Sequence, residues 1–117
     1  MQEARQEFSL VKFGEIVYAI GGSDGSSNHS SIEKYDGNRW MITAFLETGL
    51  KAHEALVLPD GIYIIGGIDN QGFYISDITK FDPILNTFTA LPQMNTPRAS
   101  FKAVLSQNCQ YIYVIGG

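Results

Sequence analysis

Three strings of one kind limit what this chain can fold into. They are VYAIGG ending at Gly22, IYIIGG ending at Gly67 and IYVIGG ending at Gly117, spaced 45 and 50 residues apart. A second string, SIEKYD from Ser31 to Asp36, returns as DITKFD from Asp77 to Asp82, 46 residues later. A third is looser. It reads RQEFSLV from Arg5, KAHEALV from Lys51 and RASFKAV from Arg98, with spacings of 46 and 47. An aromatic follows each acidic turn, Trp40 after Asp36 and Phe88 after Asp82. Recurrence of several elements in a fixed order is the mark of a repeated supersecondary unit.

Each element reads as a strand. The VYAIGG type is a continuous run of β-branched and aromatic residues, as for a strand buried on both faces. SIEKYD mixes apolar and charged positions, as for a half-exposed strand. Turn chemistry joins the strands. Pro59-Asp60-Gly61 and Asp36-Gly37-Asn38 supply preset and positive φ, and Asp82-Pro83 opens a longer turn. Short turns imply antiparallel meanders. The best helix candidate, Thr43 to Leu58, is interrupted by Gly49 and reads as strand, loop, strand. First strands are expected near 5–12, 51–58 and 98–106, and second strands near 15–21, 61–66 and 110–116. Third strands fall near 31–36 and 75–81, and fourth strands near 39–46 and 87–91. The repeats then cover about 1–46, 47–93 and, in part, 94–117. Four strands per 45–50 residues is the period of a propeller blade.

The double glycines Gly21-Gly22, Gly66-Gly67 and Gly116-Gly117 close the second strands. Aromatic-Asp pairs, Tyr35-Asp36 and Phe81-Asp82, end the third strands, and Trp40 and Phe88 open the fourth. With the junction LPQMNTPR from Leu91 to Arg98, this set resembles the kelch repeat family over nearly the whole chain. Phe81 and Phe88 stand where the family pattern has tyrosine and tryptophan, and both keep an aromatic. The resemblance implies an all-β, partial kelch-type β-propeller of about two and a half blades. Physics agrees: glycine pairs allow tight bends and close approach, and paired aromatics fill wedges.

Composition narrows the function. Hydrophobic residues make up 44% and aromatics 12%, enough for a core. Net charge is −4, so neither nucleic acid nor an anionic membrane is an expected partner. Cys109 is the single cysteine, no signal peptide is legible at the N-terminus, and a cytoplasmic location is expected. No apolar run nears the roughly 18 residues of a membrane helix.

Motifs for chemistry are missing. GGSDGSSN (21–28) lacks both GxGxxG and the GK[ST] of a P-loop. Asp24-Gly25 lacks the spaced carboxylates of an EF-hand. His29 and His53 lack zinc-ligand spacing, and Cys109 lacks an activating neighbour in sequence. Asn28-His29-Ser30 forms a sequon, read as silent. No catalytic residue, metal or cofactor is expected.

Loops on a rigid β scaffold carry binding. Those between second and third strands, Ser23–Ser30 and Ile68–Tyr74, offer polar groups and the aromatics Phe73 and Tyr74. In kelch substrate adaptors, ligands dock on the face bearing these loops. The resemblance implies basic contacts at the start of the first strand, matched by Arg5 and Arg98, with Lys51 nearest in the middle unit. It implies contacts after the double glycine, here Ser23, Gly25, Ile68 and Asn70, and a serine opening the third strand, Ser31. Asp77 departs from that serine.

The expected role is protein–protein recognition, as substrate recognition for a BTB–kelch cullin ubiquitin-ligase adaptor or as actin binding. The alternatives are part of a kelch-like enzyme of galactose-oxidase or sialic-acid mutarotase type, or a purely structural fragment. A propeller closes with roughly four to eight blades. The chain is therefore expected to be a sector of a larger ring, or to self-associate through its open edges.

Overall fold

The computed structural model describes residues 1–105 and 112–116. The regular elements among them are strands, in three antiparallel sheets. Blade 1 holds β1 (Ser9–Phe13), β2 (Ile16–Ile20), β3 (Ser31–Tyr35) and β4 (Trp40–Phe45). Blade 2 holds β5 (Glu54–Leu58), β6 (Gly61–Ile65), β7 (Ile78–Asp82) and β8 (Thr87–Leu91). A third sheet pairs β9 (Lys102–Leu105) with β10 (Ile112–Ile115). This is the partial propeller the repeats imply. Gly117, and the expected turn from Ser106 to Gln110 with Cys109, lie outside the described residues.

First strands begin later than their sequence suggests, at Ser9, Glu54 and Lys102. The cause is a repeated kink. Glu7, Ala52 and Ser100 adopt positive φ of 53°, 55° and 53°, which ends an extended run. These residues also join the blades: the Ala52 N–H donates to the Glu7 carbonyl at 2.9 Å, and the Ser100 N–H to the Ala52 carbonyl at 2.8 Å. β7 likewise starts at Ile78 rather than near residue 75, because Ile75 serves loop bonds to Gly67 and Arg98.

Register corrects one equivalence. Ser9 pairs with Ile20, Glu54 with Ile65 and Lys102 with Ile115, which makes the three leading residues equivalent. Counting back four positions, Arg5 and Arg98 match Leu50. Lys51 is level with Gln6; each bridges the residue after its double glycine, Ile68 and Ser23. The similar look of RQEFSLV and KAHEALV hides a one-residue offset.

The core forms as layers between blades. Tyr18, Ile20 and Ile32 of blade 1 pack on Ala55, Ile62, Ile64 and Phe81 of blade 2. Ile65, Phe101 and Ala103 begin the next layer. Phe81 is fully buried, stacked on Phe88 at 4.9 Å and edge-on to Tyr18 at 6.3 Å. Its blade 1 counterpart Tyr35 meets Trp40 at 5.2 Å with the rings tilted by 37°, half-buried and outside that layer.

Gly66 shows why the double glycine is needed. Its φ is +62°, and a Cβ there would sit 2.6 Å from the Arg98 carbonyl and 2.9 Å from the Phe101 ring. Gly21 meets the Leu50 carbonyl and the His53 ring in the same way, at 2.7 and 2.8 Å. The next blade's entry segment thus rests directly on glycine backbone.

Candidate functional site

Two loops form one surface. In the β2–β3 loop, Asp24 Oδ1 accepts from the Ser26 and Ser27 N–H groups at 2.8 and 2.9 Å. These bonds hold the Asp24 carboxyl below its usual range. Asp69 repeats the turn in the β6–β7 loop, accepting from Gln71 and Phe73 at 2.9 Å each. Such side-chain turns fix loop shape locally. The loops are then tied to each other. The Asn28 N–H donates to Asn70 Oδ1 at 2.7 Å, and Asn28 Nδ2 to the Ile68 carbonyl at 2.9 Å. Gly49 lets this happen, because a Cβ there would lie 2.5 Å from the Asn28 carbonyl. Phe73 and Tyr74 stand out from this frame, 65% and 56% exposed.

Beneath the loop in blade 1 lies a buried ion pair. Arg5 Nη2 meets Glu33 Oε2 at 2.8 Å, with both side chains 0% exposed. The guanidinium also donates to the carbonyls of Gly21 at 2.6 Å and Ser31 at 3.0 Å, and to Ser31 Oγ at 2.8 Å. Glu33 accepts from the backbone N–H groups of Gln2 and Glu3. Burial pushes the Glu33 carboxyl up, but these N–H donors and Arg5 outweigh it and hold it below its ordinary value.

Blade 2 changes the three side chains Arg5, Ser31 and Glu33 of that arrangement. Leu50 stands for Arg5, Thr79 for Glu33 and Asp77 for Ser31. The result is an open cavity of about 580 Å³ at the junction of blades 1 and 2, with Leu50, Ile64 and Phe88 among its apolar walls and Thr79 and Asp77 also lining it.

The residues expected to contact a partner separate into groups. Gly25 and Asn70 are exposed in the loops, and Ile68 is half-buried beside them. Lys51 is half-buried, its ammonium 3.9 Å from Glu7. Arg98 is half-buried and donates to the Gly116 carbonyl at 2.7 Å, the bond Arg5 makes to Gly21. Arg5, Ser23 and Ser31 differ from the expectation. Ser23 and Ser31 are buried, Ser23 Oγ accepting from the Gly25 N–H. Ser31 Oγ donates to the Glu3 carboxylate. These three brace the loops from below, because their polar groups are consumed within the blade. Sequence reasoning missed the cavity. Its signal was available in the paired change from Arg5 and Glu33 to Leu50 and Thr79 between repeats.

The histidines lie apart in role. His29 Nε2 is 3.0 Å from the Ala4 carbonyl in the loop region. His53 is buried against Gly21, with neither ring nitrogen at hydrogen-bond geometry to a partner. Burial lowers its pKa to about 4, opposed only in part by the Ile20 backbone.

Two four-stranded antiparallel sheets and a two-stranded third, stacked face to face about inner strands β1, β5 and β9, define a β-propeller sector carrying a loop platform. Its sequence matches the family model for the Kelch motif over residues 4–44 and 50–95, and the chain belongs to the kelch repeat family. It is 33% identical to human Kelch-like protein 33 over 85% of this chain and 19% of that protein. It is 32% identical to Kelch repeat and BTB domain-containing protein 8 of Danio rerio, over 100% of this chain and 19% of that protein. Beta-scruin of Limulus polyphemus is 25% identical over 100% of this chain and 14% of its own length. The chain thus spans about a fifth or less of the curated relatives it matches.

Proposed function

We propose that this chain is a protein–protein recognition segment whose binding face is the paired loop platform. The observation that carries the reading is the hydrogen-bonded union of two exposed loops across a blade boundary, with Phe73 and Tyr74 at its surface. Pre-ordered loops lose little entropy on binding, and exposed aromatics supply anchor area. Gly25, Ile68 and Asn70 belong to this face, with Lys51 and Arg98 at its base. The relatives named for kelch and BTB domains favour substrate recognition for a cullin ubiquitin-ligase adaptor, in a cytoplasmic setting; actin binding is the variant. Recognition on this reading needs no chemistry from the chain and no cofactor, nucleic acid or membrane.

The test is crosslinking capture of a partner by the wild-type chain and by Phe73→Ser with Tyr74→Ser. The double variant loses the partner while keeping its strand circular dichroism. Unchanged capture removes the platform as the binding face. Self-association through open edges is part of the same proposal, supported by Tyr113 and Ile115, 54% and 62% exposed on the third sheet. Light scattering at increasing concentration detects it, and a monodisperse monomer throughout refutes it.

A further inference from the structure

We propose that the cavity between blades 1 and 2 receives the side chain of an arginine presented by a protein partner. The proposal rests on the reading of the adjoining loops as a binding face and gives that face a second, charged anchor. Asp69, which shapes the β6–β7 loop, also lines the cavity.

The molecule contains its own template for this occupant. In blade 1 an arginine fills the equivalent space, its guanidinium held by the Ser31 hydroxyl, two carbonyls and the Glu33 carboxylate. In blade 2 the hydroxyl is replaced by the Asp77 carboxylate, a stronger acceptor for a guanidinium. Yet the arginine itself is replaced by Leu50. The acceptor has been strengthened while its donor has been removed. Asp77 Oδ1 takes one bond, from Gln93 Nε2 at 2.6 Å. Among the described residues no cation pairs with Glu47, Asp69 or Asp77, the three carboxylates that line the cavity.

Shape and charge select the same guest. A volume of about 580 Å³ lies within the roughly 300–1,000 Å³ of ligand pockets. Leu50, Ile64 and Phe88 offer apolar wall to a methylene stem, and the carboxylates offer acceptors to a planar cationic head. An apolar guest would strip water from those carboxylates with no compensation. An acidic guest would meet like charge on a chain that already carries −4. Lysine would satisfy the charge but not a fork of several acceptors.

The test is amide-resolved NMR titration of the whole chain with the blocked peptide acetyl-Gly-Arg-Gly-amide. The control peptide carries citrulline, a neutral isostere of arginine. The arginine peptide shifts amides of Thr48, Asp77 and Ala90, and citrulline binds at least about tenfold more weakly. Asp77→Ser, which copies blade 1, weakens arginine-peptide binding by about tenfold. Leu50→Arg fills the cavity with the chain's own guanidinium and abolishes peptide shifts there. If Leu50→Arg fails to fold, Asp77→Ser with the citrulline control still decides. Equal binding of citrulline, shifts confined to other surfaces, or full binding by Asp77→Ser overturns the proposal. So do shifts that grow with protein concentration alone, which would place a second copy in the cavity. Partner capture that survives Asp77→Ser but fails on Phe73→Ser with Tyr74→Ser overturns the arginine anchor and leaves the loop platform standing.

Discussion

Blades 1 and 2 have the same strand order, the same glycine pair and an aromatic pair at the same place, but opposite interiors beneath their loops. Blade 1 closes the space with Arg5 and Glu33, both fully buried and tied to backbone. Blade 2 replaces both and leaves a cavity. The difference teaches how a repeat tolerates change. A buried charge is costly alone, whereas removal of both partners together leaves neither charge stranded. The pair can therefore be lost as a unit without disturbing the glycines and aromatics around it. Blade 1 also bulges, its β3–β4 register shifting between Ile32 and Glu33, while β7–β8 pairs without interruption.

The largest expected effect comes from splitting the pair. Arg5→Leu leaves Glu33 buried and unpaired, at a cost of about 3–5 kcal/mol in urea unfolding. Arg5→Leu with Glu33→Thr converts blade 1 to the blade 2 pattern and recovers most of that loss. If the double variant is no better than the single, the blades are not interchangeable in this respect.

Next comes pH, which separates the blades by their acid-sensitive groups. His53 is held neutral with a pKa near 4, below its ordinary 6.5. The unfolded chain therefore takes up the proton first. Stability from this group is complete above pH 6.5 and drains away as pH falls toward 4, by about 3 kcal/mol in all. Glu33 is also depressed, so its contribution is present above its ordinary 4.5 and is lost below that. Blade 2 thus weakens at higher pH than blade 1. Phe8 and Phe101 occupy the positions equivalent to His53, and Phe101 packs on Gly66 as His53 packs on Gly21. His53→Phe is expected to raise stability and flatten the slope between pH 6.5 and 4. A slope that persists, followed by urea midpoints across that range, assigns the sensitivity elsewhere.

Glycines give the smaller contrast. Gly66→Ala meets both positive φ and the Arg98 carbonyl, and should cost about 3 kcal/mol. Gly25→Ala has positive φ but open space around it, and should cost about 1 kcal/mol. Equal losses would show that backbone strain, not the close approach of the next blade, makes the double glycine necessary.

The blades were legible because their signals are local. Apolar runs, Asp-Gly turns and the glycine pair specify strands and bends within a few residues. The loop platform was legible as composition, and Phe73 and Tyr74 with it. The fate of Arg5 was not, since its four acceptors lie 16 to 28 residues away and only folding gathers them. The equivalence of Lys51 to Arg5 failed for a related reason. A one-residue offset changes little in a loose string, but it decides whether Leu50 or a lysine enters the blade.

The row of Glu7, Ala52 and Ser100 has a consequence for how such blades assemble. The Ala52 and Ser100 N–H groups point back to the previous blade, and the Glu7 and Ala52 carbonyls point forward to the next. The row therefore has a sense, like an arrow drawn around the axis. A newly added blade can extend it only head to tail, never by a two-fold mating of like with like. Any oligomer that continues this row must be a heterologous ring or an open spiral, and the sign of its winding is already written in three peptide groups.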